Sequence, residues 1–364
     1  MIERLEANKA LYRQLRDKLN TIGFGITYLD GEEELEYLGL MFSEEDAQYY
    51  LHVDVDYDTP EHVAEKLGLD AAEVSAHLKD MSLRGLLYRE KVDGKVLYKA
   101  IPLLHGIIEF NVNRHTKEQV KAWTKIASGG GGLRGRYYKY EPFQRSLPIR
   151  PEAVKDGDLL PEDDIRNILK SAKTIAVANC ICRTIAKQLG GDCKYPMRTC
   201  MAVNGWADYY VENGDGEYIT YEEAVRILDM SDELGLSVHC ANSKETEIIC
   251  CCCKCCCGII KGYKLFPENH AVPNTSNYRM VLDHEKCIDC GACVERCVMD
   301  ALKVEDGKLR YNPDVCNGCG LCVTKCPEKA VILERKPHTY LPQGQTWFDT
   351  YQIMAQDRRT CGDL

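Results

Sequence analysis

Apolar residues near the start of the chain recur at intervals of three and four, as they do along one face of an α-helix. The pattern predicts an amphipathic helix over residues 1–22 that packs on its own domain. The apolar positions are Ile2, Leu5, Tyr12, Leu15, Leu19 and Ile22.

Two short helices are predicted next, from their capping residues. Thr59 is placed to cap a helix that has Pro60 at its first position, and Asp70 is placed to cap a second helix that runs to about Arg84. Asp93-Gly94 then lies between two apolar triplets, which is a strong signal for a β-hairpin.

This order of helix, turn, helix and hairpin resembles a winged helix-turn-helix domain. The first turn of its second helix carries acids and alanines, whereas a DNA-reading helix usually presents Arg, Asn or Gln there. We therefore expect a structural or partner-docking role, and nucleic acid is not an expected partner. The acidic residues of that helix are Asp70, Glu73 and Asp80.

Further along, the pattern predicts helices over 161–171, near 202–211 and over 221–234, the last with Gly235 as its C-terminal cap. Buried strands are predicted over 174–178 and 236–240, and the aromatic residues after 336 are expected on an irregular tail. The predicted fold class is multidomain α+β, with a winged-helix-like N-terminal domain, a central α/β cysteine-rich domain and a C-terminal ferredoxin-like module. The predicted boundaries are 1–127 for the first domain, 128–142 for a glycine-rich linker, 143–278 for the cysteine-rich domain, 279–336 for the ferredoxin domain and 337–364 for the tail.

Composition and charge narrow the classes of function. The chain has 364 residues and a formal net charge of −10, which suits docking on a basic partner and disfavours nucleic acid. It contains no apolar run of about eighteen residues and begins without a signal-peptide pattern, so we expect no membrane span and a cytoplasmic location. Twenty-one cysteines in a cytoplasmic chain favour metal ligation over disulfides and suggest an anaerobic or low-oxygen setting.

Two C-x2-C-x2-C-x3-C runs stand in tandem between residues 287 and 326. This is the ligand pattern of a bacterial ferredoxin with two [4Fe-4S] clusters, in which the fourth cysteine of each run serves the other cluster. Zinc ribbons would place cysteines in pairs, and disulfides would not repeat the spacing. The predicted ligands are Cys287, Cys290, Cys293 and Cys326 for the first cluster and Cys316, Cys319, Cys322 and Cys297 for the second, with Gly291, Gly318 and Gly320 in the tight turns between them.

A second group of cysteines occupies the central region, and seven of them fall within positions 250–257. Seven neighbouring side chains cannot all reach one cluster of four thiolates. We therefore expect one or two additional iron–sulfur clusters with unknown sharing of ligands, and Arg183 and Lys254 place positive charge nearby. The candidate ligands are Cys180, Cys182, Cys193, Cys200, Cys250, Cys252, Cys253, Cys255, Cys256 and Cys257.

Residues 143–336 resemble a family of anaerobic 4Fe-4S dicluster proteins. The shared elements are F-Q-R-S-L-P at 143–148, I-A-V-A-N-C-I-C-R at 175–183, G-D-G-E-Y-I-T-Y-E-E-A at 214–224, the C-x-C-C-x-C-C-C run and the ferredoxin pattern. The chain departs from the family at Cys251, where Asn is expected, and at Met197-Arg198, where an acid is expected. The resemblance implies cluster binding and redox work, often with a winged-helix-like N-terminus.

Three functions fit these residues. The first is an electron-transfer subunit that serves a flavin, molybdenum, tungsten or other redox enzyme. The second is an oxidoreductase with its own catalytic cluster, because Cys256-Cys257-Gly258 matches the CCG motif of heterodisulfide reductases, although no second copy is present. The third is a redox-sensing winged-helix regulator, which the acidic second helix disfavours. Whether the chain is itself an enzyme stays open.

Overall fold

The computed structural model describes residues 8–23, 25–26, 28–128, 142–265 and 276–362. The predicted glycine-rich linker lies almost wholly outside these ranges. The predicted first helix is present from Lys9 to Asn20, and residues 1–7 also lie outside the described residues.

The N-terminal segment is helical apart from one hairpin. Thr59 and Asp70 both accept backbone N–H groups at the starts of the helices that they were predicted to cap. Asp93 and Gly94 both have positive φ, as the predicted hairpin turn requires. The elements are α1 Lys9–Asn20, α2 Glu33–Met41, α3 Glu44–His52, α4 Pro60–Leu67, α5 Ala71–Leu83, β1 Leu87–Val92, β2 Lys95–Ala100 and α6 Lys117–Ser128.

The central region is built on a six-stranded sheet. Its strand order is β3-β7-β8-β5-β4-β6, and every neighbouring pair is antiparallel. The expected α/β character is therefore wrong, because no parallel crossover joins these strands and the region is α+β. The elements are β3 Gln144–Leu147, α7 Ile165–Ser171, β4 Ile175–Asn179, α8 Ile181–Gln188, β5 Arg198–Val203, α9 Gly205–Glu212, β6 Gly216–Tyr218, α10 Tyr221–Leu234, β7 Ser237–Ala241, β8 Ile248–Cys252 and α11 Gly258–Leu265.

Helix boundaries in this region follow local signals where these are strong. Helix α10 has the predicted bounds, with Gly235 left-handed at its end. The helix expected near 202–211 begins only at Gly205, because Ala202 and Val203 complete β5 and pair with β8 and β4.

The ferredoxin-like module docks against α10. It comprises β9 Tyr278–Leu282, α12 Ala292–Arg296, β10 Leu302–Glu305, β11 Lys308–Tyr311 and β12 Val331–Arg335. The buried carboxylate of Asp232 on α10 receives Arg296 Nη2 at 2.9 Å and Thr324 Oγ1 at 2.7 Å from the module, and it also pairs with Arg150.

Three of the four C-terminal aromatic residues lie on a helix, α13 Trp347–Thr360, so the expectation of an irregular tail is wrong for Trp347, Phe348 and Tyr351, whereas Tyr340 precedes the helix. Thr346 and Asp349 form a capping box at its start, and its apolar face is buried against the rest of the molecule. Tyr351 Oη donates to His105 O at 2.7 Å, and Arg358 donates to the carbonyl of Asn20. The helix therefore joins the N-terminal segment to the central sheet.

One apolar core runs from Tyr12 through the central sheet to Met354, and a smaller core lies inside the ferredoxin-like module. The described residues form a mixed helix and sheet structure. Within the same residues, none of the helices has both the length and the apolar character that crossing a bilayer requires.

Candidate metal centres

The first predicted quartet surrounds a single cavity in the ferredoxin-like module. Cys287, Cys290, Cys293 and Cys326 all line it, together with apolar neighbours. Gly291 adopts a left-handed conformation just before α12, which turns the chain between the second and third of these cysteines.

The second predicted quartet is gathered beside α12. Burial raises the pKa of the Cys322 thiol, and the nearby thiols of Cys319, Cys316 and Cys297 raise it further. The structure therefore places Cys297 from the first run among the three leading cysteines of the second run.

Backbone N–H groups point at sulfurs in both halves of the module. Ala301 N lies 3.2 Å from Cys297 Sγ, and Ala330 N lies 3.2 Å from Cys326 Sγ, so the fourth cysteine of each run receives an N–H group from four residues later. Such donors stabilise the negative charge of a thiolate-bound cluster. The chemistry of both quartets therefore fits iron–sulfur clusters.

Close backbone approach fixes one turn of the module. Gly318 has a φ of +64°, and a Cβ at that position would lie 2.4 Å from the carbonyl oxygen of Tyr278 and 2.5 Å from Ser276 Oγ. A side chain at residue 318 would therefore displace the backbone of β9, which explains why glycine stands between two predicted ligands.

Strand β8 divides its cysteines by the alternation of side chains. Cys250 and Cys252 lie on one face of the strand. Cys251 lies on the other face, where its thiol forms a hydrogen bond with Ser231 of α10. Burial raises the pKa of this thiol to about 12. The thiol of Cys251 is therefore apart from those of Cys250 and Cys252, although all three residues line the cavity described next.

Seven of the ten central candidates line one cavity, which we call the chamber. The thiols of six of them are close neighbours, and the seventh, Cys253, belongs to the group described below. The six free thiols form a chain of neighbours in the order Cys200, Cys250, Cys252, Cys257, Cys182 and Cys180. Cys180 is the N-cap residue of α8, where the helix dipole favours negative charge. The six chamber cysteines are Cys180, Cys182, Cys200, Cys250, Cys252 and Cys257.

The chamber wall includes three polar residues that the sequence interpretation missed, His105, Glu109 and Gln144. Gln144 Nε2 lies 3.7 Å from Cys250 Sγ. Burial lowers the pKa of His105 to about 4 and raises the pKa of Glu109 to about 8. Gln144 lies in the F-Q-R-S-L-P element, but no sequence signal distinguished the other two.

The remaining four candidates gather at a second place. The sulfurs of Cys193, Cys253, Cys255 and Cys256 all lie within 4.8 Å of one another. We call this group the tetrad. The ten central candidates are thus brought together as six and four.

Arg183 is a buried cation that lies close to cysteines of both the chamber and the tetrad. Its guanidinium donates to Thr199 Oγ1 at 2.5 Å and to Cys251 O at 2.8 Å, so it is not a solvated charge. Burial opposes ionisation of Cys253, but the hydrogen bond and charge of Arg183 outweigh it and lower the pKa of this thiol to about 7.

A buried histidine links the chamber to the ferredoxin-like module. His239 on β7 is the strand partner of Cys250. Its Nε2 lies 3.0 Å from Ser237 Oγ and 3.5 Å from Nδ2 of Asn317, which stands directly after Cys316. His239 and Asn317 therefore lie between the two cysteine regions.

The comparisons with known proteins bear on the C-terminal module. A search of curated proteins finds no match to the chain. Residues 279–327 match the family model described as "4Fe-4S dicluster domain", which covers the cysteines from 287 to 326. This part of the chain is therefore a ferredoxin-like 4Fe-4S dicluster domain.

Proposed function

We propose that the chain is an iron–sulfur electron-transfer protein that passes electrons to or from a redox enzyme partner in the cytoplasm. Cys287, Cys290, Cys293 and Cys326 would hold one [4Fe-4S] cluster, and Cys316, Cys319, Cys322 and Cys297 a second. A further cluster would take its ligands from the six chamber cysteines. Bound clusters would supply one-electron redox chemistry at all three places.

The observation that carries this proposal is the position of His239. It pairs with Cys250 of the chamber and approaches Asn317 within the second quartet. A short, buried connection of this kind supports electron transfer between the two centres. It would be less expected if the two metal sites were functionally unrelated.

The protein groups around each site have separate tasks. In the module, backbone N–H groups at Ala301 and Ala330 stabilise the ligand sulfurs. At the chamber, the buried cation of Arg183 favours the more negative, reduced state. The apolar walls exclude water, which strengthens both effects.

Anaerobic metal analysis and EPR test this function. Two cubanes account for about eight iron and eight sulfide per chain, and a chamber cluster raises both to about twelve. In the fully reduced protein, we expect the signal of the chamber cluster to be broadened by its neighbour, and Cys322→Ser to remove the broadening. A protein purified without air that contains no sulfide would contradict the proposal.

A catalytic role for the chamber is the second candidate. The chamber offers more cysteines than the four that a cubane needs, and Glu109, whose pKa burial raises to about 8, can hold a proton beside them. This supports an oxidoreductase that reduces a disulfide or another small molecule at its own cluster. Spectral change of the chamber cluster on addition of a disulfide to the reduced protein, retained in Cys322→Ser, would favour it over simple electron transfer.

For the N-terminal segment we propose a winged-helix-like docking domain, joined by the 128–142 linker to the cysteine-rich domain. Two arginines near its second helix are engaged: Arg84 pairs with Asp46, and Arg89 bonds Glu212 at the end of α9 and the following Asn213. These two cations are thus not available to phosphates, which, together with the acidic first turn of α5, disfavours the redox-sensing regulator. Retarded migration of DNA by the purified protein would reverse this preference.

A further inference from the structure

We propose that the tetrad of Cys193, Cys253, Cys255 and Cys256 is a mononuclear metal site that holds one tetrahedral Zn²⁺ or Fe²⁺ ion, separate from every iron–sulfur cluster. The inference does not depend on the proposed electron path, because it concerns a different type of centre.

The spacing of the sulfurs carries the inference. Cys255 Sγ lies 3.7 Å from Cys193 Sγ, 3.5 Å from Cys253 Sγ and 3.6 Å from Cys256 Sγ. A metal–sulfur bond of about 2.3 Å in a tetrahedral site places the four sulfurs about 3.8 Å apart. Disulfide bonding would bring a pair to about 2 Å, so the tetrad is not two disulfides.

The predicted cluster ligands have a wider spacing. Within the described part of the chain, neither ferredoxin quartet places even three of its sulfurs within 4.8 Å of one another, and the chamber cysteines do not either. Four iron atoms between the thiolates of a cubane require this wider separation, whereas a single ion draws its ligands close. The tetrad therefore differs from the other sites in the size of the group that fits it.

A second compact group of possible metal ligands already has a cationic side chain of the protein beside it. Asp54, Asp58 and His62 also place donor atoms within 4.8 Å of one another. There the ammonium of Lys66 lies 2.7 Å from Asp54 and 2.9 Å from Asp58, so a cation of the protein already balances the carboxylates. At the tetrad, a bound metal ion would supply the balancing positive charge that Lys66 supplies there.

The tetrad brings together two loops that lie far apart in the sequence. Cys193 lies between α8 and β5, and the other three lie between β8 and α11. Cys253 also lines the chamber, so an ion here would hold the loop of Cys193 at the chamber's edge. Four thiolates around a divalent ion leave a net negative charge, which the buried Arg183 beside Cys253 partly balances.

Exposure of one ligand indicates how the ion enters. Cys255 is exposed, whereas Cys253 is buried and Cys193 is partly buried. A site with one accessible thiolate and three sheltered ones can exchange its metal with solution without opening the chamber. Soft thiolate ligands in a tetrahedral arrangement select zinc or iron over harder cations.

The test is metal and sulfide analysis of the anaerobically purified full chain, with variants at both loops. We expect wild type to contain about one zinc, or one iron in excess of sulfide, per chain. Cys255→Ser and Cys193→Ser should each lose that ion and keep all their sulfide. Cys361→Ser, which removes an exposed thiol outside both groups, is the control and should match wild type.

Spectroscopy identifies the ion. X-ray absorption at the zinc or iron edge should give four sulfur neighbours at about 2.3 Å, and cobalt exchanged into the site should give the intense visible bands of a tetrahedral thiolate complex that Cys193→Ser lacks. Loss of iron and sulfide in equal amounts from both variants would assign the tetrad to a cluster and overturn the inference. So would a wild-type protein with no metal beyond its sulfide-matched iron. A chain with zinc and no sulfide would instead contradict the electron-transfer proposal alone.

Discussion

The ferredoxin-like module and the chamber gather cysteines by different means. The module takes its eight cysteines from one stretch between residues 287 and 326, where glycine turns bring them together. The chamber takes six cysteines from four separate segments and completes its wall with His105, Glu109 and Gln144. A site of the first kind is encoded locally, whereas a site of the second kind exists only when the whole fold is formed.

The difference predicts which changes disturb each region. The module should be sensitive to single backbone positions, because its turns approach neighbouring chain segments closely. The chamber should be sensitive to contacts between distant elements and to the ionisation of buried groups.

Gly318→Ala should destabilise the module by about 3 kcal/mol, because the left-handed conformation and the collision with β9 both act against a side chain. We expect loss of the second ferredoxin cluster, measured as iron content and as thermal unfolding without air. Gly307→Ala is the matched control, because Gly307 has a φ of +70° but nothing within 4 Å of the added Cβ. It should cost only about 1 kcal/mol. Equal effects of the two substitutions would mean that the close approach at Gly318 is unimportant.

Asp232→Ala should lower the free energy of unfolding by about 2 kcal/mol, because it leaves Arg296 without its buried partner between module and α10. Chemical denaturation measures the change. Glu217→Ala removes a carboxylate from an exposed pair with Arg198 and should cost less than about 1 kcal/mol. If the two variants unfold alike, the module does not depend on Asp232 for its docking.

Glu247→Gln should flatten the pH dependence of stability. Burial, opposed in part by hydrogen bonds from Trp347 N and Ser243 Oγ, raises the pKa of Glu247 from 4.5 to about 8. Between these two values the folded state keeps a proton that the unfolded state releases. Stability therefore falls as pH rises, by up to about 1.4 kcal/mol per pH unit, and the slope ends above pH 8.

Denaturation series from pH 4 to pH 9 check this prediction. Below about pH 4.5 both states of wild type hold the proton, so wild type and Glu247→Gln should there differ only by a constant. An unchanged slope between pH 5 and pH 8 in the variant would show that another group controls it.

Local signals explain what the sequence could predict. Capping residues such as Thr59, Asp70 and Gly235 act within one turn of helix, so they identified their helices correctly. The tail helix also carried a signal, since Thr346 and Asp349 have capping-box spacing and apolar residues follow at helical intervals.

Long-range features lacked such signals. The antiparallel order of the sheet depends on pairings between distant strands, and strand β3 reaches β7 across nearly one hundred residues. His105 and Glu109 belong to the N-terminal segment, and nothing near them in the sequence indicates cysteines. The division of the central cysteines into six and four depends on where two loops meet, which the spacing alone could not specify.

Helix α13 has a consequence for how the protein is made. It is synthesised after every cysteine of the chamber and the module, yet its Tyr351 binds the carbonyl of His105 and its Arg358 binds that of Asn20. During translation the chamber wall that carries His105 therefore lacks this support until residues 347–360 have been made and have folded as α13.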